Sequence, residues 1–358
     1  MSASQYEACR VDYKDLHRFI EQALAAAGAD QASREAVAKA LVTASLMGTD
    51  SHGLRLLPHY LNALQGGRIK GSPTPSIKQR LAGTAVLDAD DGFGHLAGYR
   101  AIDHAVSMAR EVGIGAVAVG NSSHFGAAGC YALAAAEQGM LGMAFCNSDP
   151  FVLLHGSQRA FHGTNPIAFA APVAGEDPYL LDMATSSVPM NRVQQYAAIG
   201  RPLPADIAAT SDGSTTTDAR QVSALLPVGG AGFGFKGAGL GGMVEVLSST
   251  LANMVHGFRV LPMGGPDMST PRGVGHFFLV MDPGAFEERS AFERRLAEYL
   301  KDLRQMTPVE GQRVLAPGDR EWQTRDERKQ TGIPLDHAQR DQYRQIAERF
   351  ALTALTEH

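Results

Sequence analysis

The sequence predicts an α/β architecture in which helices from both chain ends close around a central core. Two observations point to it. Apolar residues at helical spacing fill the first 65 residues and return after Pro283. Between those segments, short apolar runs alternate with amphipathic stretches and glycine-rich turns. At 358 residues the chain can bury a large core, and 44% apolar with 19% charged residues is ordinary for a globular protein.

The elements follow in order. Residues 12–27 place Leu16, Phe19, Ile20, Ala23 and Leu24 on one helical face, with Gly28 as the stop. A second helix runs from Gln31 to Met47 behind an Asp30 cap and ends at Gly48. A third, Pro58 to Gln65, carries proline in its first turn, where a missing N–H costs nothing. Thr84–Leu87 reads as a strand, Asp88–Gly92 as a turn and Ala97–Val112 as a helix. Gly115–Val119, a loop, a helix over Gly126–Gln138 and Leu141–Cys146 have the shape of a βαβ unit. Ile167–Ala171, Tyr179–Leu181 and Phe277–Met281 add strands. The interval 190–224 is polar, with 211–217 as a surface loop. Glycines near 229–242 read as a loop entering a helix over Met243–Met254. Phe292, Leu296, Tyr299, Leu300 and Leu303 mark a helix, and a last helix covers Asp336–Leu355.

Composition excludes several classes. A net charge of −5 with no Lys/Arg run argues against nucleic-acid binding. Apolar runs stop well short of the roughly 20 residues a membrane span needs, so no membrane association is expected. Met1–Gln5 lacks a positive region followed by an apolar core, so no signal peptide is expected. Cys9, Cys130 and Cys146 form no CxxC pair and no metal-ligand spacing, which predicts a reducing, cytoplasmic compartment and no metal site.

Four stretches concentrate chemistry. Asp50-Ser51-His52-Gly53 with Arg55 crowds four polar functions just past a helix end. His52 there is either a cap on that helix or a group that moves a proton. Asn121–Gly129 joins a strand to a helix through small residues, which suits an anion such as a pyrophosphate but equally an ordinary connection. His162–Pro166 is a turn before a strand, and Asp182–Ser186 ends one with a carboxylate and two hydroxyls. The glycine run around Lys236 matches GxGxxG by letter, yet no strand precedes it and no acidic residue follows at the spacing a dinucleotide fingerprint needs.

Taken together, Asp50-Ser51-His52-Gly53 with Pro58-His59-Tyr60, Ser123-His124-Phe125-Gly126-Ala127-Ala128-Gly129, Gly163-Thr164-Asn165-Pro166, Leu181–Ser186 and Lys236-Gly237 resemble the malate/L-lactate dehydrogenase family of the non-Rossmann type. The motifs stand in that family's order over about residues 50–240. Its relatives include ureidoglycolate, sulfolactate and diketogulonate oxidoreductases and cyclic imino-acid reductases. The resemblance implies a central mixed-sheet α/β domain over 81–283 that binds NAD or NADP. A helical domain from 1–80 and 284–358 would close around it. It implies hydride transfer between the cofactor and a small 2-oxo/2-hydroxy acid, or reduction of a cyclic imino acid; a non-catalytic nucleotide-binding member is the alternative of another class.

By the same resemblance His52 is the proton donor and acceptor and Ser51 its helper. Arg55, Thr164 and Lys236 meet a carboxylate substrate, while His124, Phe125, Gly126, Ala127, Ala128, Asp182, Met183 and Ala184 line the cofactor site. A homodimer is implied too. Two departures stand out. Many relatives carry an arginine four residues after the histidine, where this chain has Leu56 and puts Arg55 one place earlier. The glycine loop has Ala238 where an aromatic is usual.

Overall fold

The computed structural model describes residues 9–357. A short strand, β1 (Cys9–Val11), precedes three helices, α1 (Tyr13–Ala26), α2 (Gln31–Leu46) and α3 (Leu57–Gln65). The Asp12 and Asp30 carboxylates accept first-turn N–H groups of α1 and α2, so both helices start on acidic caps. Then come β2 (Ser76–Leu81), β3 (Thr84–Asp88), α4 (Gly94–Val112), β4 (Ile114–Ser122), α5 (Gly129–Ala136) and β5 (Leu141–Cys146). The middle of the chain forms β6 (Val152–Leu153), β7 (Ala160–His162), β8 (Ile167–Ala171), β9 (Tyr179–Met183), α6 (Met190–Ala198), β10 (Ala208–Ala209) and β11 (Ala224–Leu225). It ends with α7 (Gly230–Glu245), β12 (Val274–Met281), α8 (Arg289–Arg304), α9 (Asp319–Thr331), β13 (Ile333–Leu335) and α10 (His337–Arg349).

Seven strands make the central sheet in the order β2-β3-β4-β12-β5-β8-β9. The sheet is mixed, as expected: β3 and β4 run parallel and the other neighbours antiparallel. The βαβ reading of β4–α5–β5 needs correcting in one respect. β12 inserts between the two strands, pairing Phe277 with Ala118 on one side and Phe145 on the other. No local pattern announces where a strand from 130 residues downstream will enter a sheet.

Helices α4 and α5 pack on the sheet through small residues, with Ala101, Ala105, Ala132 and Ala135 against Val117, Val119, Phe278 and Val280. The approach is close enough that a Cβ on Gly115 would lie 2.0 Å from the Ala105 carbonyl oxygen. A second core joins both chain ends: Leu16, Phe19, Ile20, Leu41, Leu57 and Leu61 meet Ile333, Tyr343 and Ile346. Each such buried side chain stabilises by about 1.5–3 kcal/mol, and together they tie α10 to the first three helices. β1 pairs with β13 at the same junction.

Two expectations are overturned, on the glycine run and the last helix, and the polar interval between them holds more structure than its composition announces. The glycine run is not a loop: residues 230–245 are α7, followed by a π turn over Val246–Thr250. Glycine serves close packing there, since a Cβ on Gly237 would lie 2.3 Å from the Val228 carbonyl oxygen. The polar interval 190–224 contains α6 and two strands of a small sheet, ordered β10-β11-β6-β7, with Val152, Val193, Leu203, Ala208 and Leu225 as its own core. The last helix stops at Arg349, six residues short of Leu355, and the very polar α9 precedes it. Among the described residues no helix is long and apolar enough to cross a membrane, and no cluster of three potential metal ligands occurs.

Candidate active site

The site begins where α2 stops. After Gly48 the chain makes two short 3-10 turns, Asp50–His52 and Leu54–Leu56. Gly53 between them lies against α2 so tightly that a Cβ would sit 2.0 Å from Ser45 Oγ, and that same oxygen accepts the Leu54 N–H at 3.0 Å. Asp50 is gripped by Arg328 of α9 through two bonds of 2.5 and 3.0 Å. A turn held on both sides gives Ser51 and His52 a defined direction. Ser51 Oγ and His52 Nδ1 are 2.8 Å apart. His52 is half-buried, and burial lowers its pKa below the ordinary 6.5, so it is a neutral imidazole near pH 7.

The facing wall comes from the sheet. β4 runs into the loop His124–Ala128, whose Gly126 takes φ +74°, a left-handed conformation that glycine adopts freely. The His124 ring stacks near that of His52, centroids 5.8 Å apart. Its Nδ1 lies 2.7 Å from Tyr60 Oη on α3 and accepts the Gly126 N–H at 3.3 Å. Burial, reinforced by His52, holds the pKa of His124 well below 6.5. Phe125 is sandwiched against His276, whose Nε2 sits 2.7 Å from Ser122 Oγ.

Asp182 closes the floor. Its Oδ2 accepts the Gly129 N–H at 2.9 Å, so the start of α5 is already capped by a carboxylate of the chain itself. The dense walls push its pKa up to about 6, with the Gly129 bond acting the other way. Its surface is nevertheless open to the cleft, so it stands as an anion at neutral pH.

His124, Phe125, Gly126, Ala127, Ala128, Asp182, Met183, Ala184, Ser51, His52 and Thr164 line one cleft of about 440 Å³. Two expected residues stand elsewhere. Arg55 pairs with Asp336 at 2.6 Å, the residue that caps α10. Lys236 lies on the exposed side of α7, its Nζ 5.5 Å from the Phe233 ring. On this 3-10 turn, which advances about 120° per residue, Arg55 turns toward the start of α10 and Leu56 packs against the core of the terminal helices, so neither side chain lines the cleft.

The structure adds residues that motif reading passed over. Ser148 lines the cleft with a buried, unpartnered Oγ, and Cys146, Ser186 and Ser187 line it as well. Behind it Arg272 pairs with Asp149, both almost fully buried. The signal for Ser148 was its place just past a buried strand end; nothing in the sequence distinguishes it from an ordinary loop serine.

The chain as a whole is similar to known proteins in sequence and in fold. The profile of the malate/L-lactate dehydrogenase family matches residues 11–343. A malate dehydrogenase of Pyrococcus abyssi is 35% identical over 353 residues, covering 97% of this chain and 96% of its own. A (2R)-3-sulfolactate dehydrogenase (NADP(+)) of Chromohalobacter salexigens is 35% identical over 329 residues, covering 91% and 94%. The crystal structure of a delta1-piperideine-2-carboxylate reductase from Pseudomonas syringae superposes with a TM-score of 0.84 at 30% identity, covering 94% and 99%. With agreement of this extent in sequence and in fold, the chain belongs to the malate/L-lactate dehydrogenase family and is an oxidoreductase of the dehydrogenase class.

Proposed function

We propose that the enzyme moves a hydride between NAD or NADP and a small 2-oxo/2-hydroxy acid, with His52 as proton donor and acceptor and Ser51 beside it. The observation that carries this reading is the Ser51–His52 pair, 2.8 Å apart, opening onto the same cleft as the small-residue loop and Asp182. Those residues fit a dinucleotide. The cleft volume falls in the range of cofactor sites, about 300–1,000 Å³. Gly126, Ala127 and Ala128 leave the backbone bare, and the buried Oγ of Ser148 lacks a partner.

The nicotinamide, when bound, supplies or accepts the hydride, which leaves proton, orientation and charge to the protein. His124 to Ala128, Met183 and Ala184 would hold the cofactor, and Asp182 would accept from its ribose hydroxyls. Thr164 would meet the substrate. In oxidation the neutral His52 takes the hydroxyl proton; in reduction it returns one to the carbonyl oxygen. Ser51 orients the ring through Nδ1 and leaves Nε2 free for that exchange.

Reduction of a cyclic imino acid is the second reading, favoured by the likeness to the piperideine carboxylate reductase and by Arg55 facing Asp336. The same proton and hydride serve an imine. A homodimer belongs to the proposal, supported by exposed apolar residues on and after α7 such as Phe233, Phe235, Met243 and Val246. So does a cytoplasmic setting, in keeping with three free cysteines.

A panel of hydroxy acids, oxo acids and cyclic imines, read by nicotinamide absorbance, tests the reading. Turnover of imines alone selects the second; no turnover of any class rejects both. His52→Ala is expected to lower kcat by about 10²–10⁴. Because burial lowers the His52 pKa, oxidation stays level near neutrality and falls only below the ordinary histidine range, whereas reduction accelerates as pH drops toward it. A His52→Ala variant with wild-type turnover removes His52 from the chemistry.

A further inference from the structure

Two imidazoles face the cleft within 5.8 Å of each other, and a reaction that moves one proton needs them to differ. Their Nδ1 partners separate them. His52 Nδ1 meets a serine hydroxyl, which donates or accepts with equal ease. His124 Nδ1 meets the Gly126 backbone N–H at 3.3 Å, and a backbone N–H only donates. The left-handed Gly126, φ +74°, turns that N–H back onto the ring. The lone pair is therefore on Nδ1, and the ring proton is on Nε2.

Tyr60 reinforces the assignment. Its Oη is 2.7 Å from the same Nδ1, the shorter of the two contacts. The side chain is fully buried, and burial raises its pKa well above 10, so the phenol keeps its proton and has it to give. Its ring is wedged edge-on against His95 at 4.7 Å and Phe93 at 6.3 Å, which leaves the hydroxyl little freedom to turn away. Among the described residues His124 Nε2 has no hydrogen-bond partner, and the ring lines the cleft.

We infer that Tyr60 is a positioning residue that locks His124 in its Nε2–H form, a permanent hydrogen-bond donor aimed at an oxygen of the bound substrate or cofactor. His52 then alone exchanges the proton. The inference rests on the proposed hydride-transfer reading for its consequence but not for its geometry, and the two are tested apart.

The primary measurement uses the ligand-free wild-type enzyme, ¹⁵N-labelled, with long-range ¹H–¹⁵N correlation of the histidine rings and assignment through His124→Gln. The expected result is one non-titrating Nε2–H imidazole for His124 from about pH 6 to about pH 9, and a mixture of tautomers in Tyr60→Phe. A His124 protonated at Nδ1, or titrating as an imidazolium in that range, overturns the inference; an unchanged tautomer in Tyr60→Phe removes Tyr60 from it. None of these readouts depends on turnover.

Kinetics supply the second arm. Tyr60→Phe is expected to lower kcat about 10- to 100-fold while retaining a cooperative melt. His124→Gln keeps an N–H donor and should exceed His124→Phe by about tenfold or more. A weaker cofactor dissociation constant in His124→Phe identifies a cofactor oxygen as the acceptor, and a raised substrate KM identifies a substrate oxygen. Equal activity of the Gln and Phe variants overturns the donor role.

Discussion

Arg328→Ala measures how far the C-terminal helices hold the turn that carries Ser51 and His52. Arg328 makes a two-point contact with Asp50 at 2.5 and 3.0 Å and also reaches the Ser45 carbonyl near the end of α2. The guanidinium is 13% exposed but Asp50 is 46% exposed, so the pair is half in solvent. Breaking a fully buried pair costs ~3–5 kcal/mol and an exposed one ~0–1 kcal/mol; this geometry falls near 1 kcal/mol on that scale, about a quarter of the buried figure. The charge-assisted bond to Ser45 contributes about 1.5 kcal/mol more. Arg328→Ala should therefore lose about 2–3 kcal/mol, a melting shift of roughly 4–6 °C at about 2 °C per kcal/mol for a chain of this size. Asp50→Ala removes only the first part, and a double-mutant cycle should return a coupling of about 1 kcal/mol. The assay joins calorimetric melting to steady-state turnover. Arg328→Ala should lower kcat about tenfold as the His52 turn loosens. Arg325→Ala, on the same helix as Arg328, breaks a comparable pair with Asp177 of the turn before β9 and should cost stability without that loss. Equal kcat in the two variants refutes the idea that Arg328 positions His52.

Stability should fall early on acidification. Burial lowers the folded-state pKa of His95 and His276 from 6.5 to about 3, and of His59 to about 4. Between those values and 6.5 the unfolded chain binds more protons, so the stabilisation is complete above pH 6.5 and drains as pH falls toward the folded values. Each histidine adds a slope of up to ~1.4 kcal/mol per pH unit; urea midpoints that stay level from about pH 7 to about pH 5 contradict this. Two glycines of α7 should behave oppositely. Gly237→Ala drives a methyl into the Val228 backbone and should cost about 1–3 kcal/mol, whereas Gly239→Ala meets open space and should gain up to ~1 kcal/mol of helix propensity. Melting both variants decides it, and equal shifts would show that backbone crowding at Gly237 is unimportant.

What could be read from the sequence was what neighbouring residues decide. The Asp30 cap, the stop at Gly48 and the strand leading into His124 are local, and the structure has all three. Ser51, His52 and the 124–128 loop meet in one cleft because each ends an element whose register is set by burial, so its tip falls in a predictable place. The misreadings have distant causes. Two-residue strands such as Ala208–Ala209 exist only because Leu225 and Val152 arrive beside them. α7 looks like a loop until Val228 is seen to require glycine at 237. α9 buries little more than Trp322, so its sequence carries no apolar stripe. Tyr60 was part of a motif, but its partner lies 64 residues away, and only the fold joins them.

The direction taken by Arg55 bears on the substrate. In the sequence it looks like a displaced carboxylate clamp; in the fold it fastens the cap of α10, whose far side packs Tyr343 and Ile346 into the core with α1–α3. Among the described residues that line the cleft, no lysine or arginine appears. On the proposed reading, a substrate carboxylate on this wall would meet neutral donors instead: the unpartnered Ser148 hydroxyl, Thr164 and an N–H of His124, since the Ser186 and Ser187 hydroxyls already donate to the Val188 and Pro227 carbonyls. Hydrogen bonds from neutral donors to a charged group contribute about 1.5–3 kcal/mol each, enough to orient one carboxylate. A second carboxylate would find no cation to offset its desolvation and would face the Asp182 anion across the same cleft. On the proposed reading the wall thus suits a substrate with a single negative charge better than a diacid, because Arg55 is engaged with Asp336 and not with the cleft.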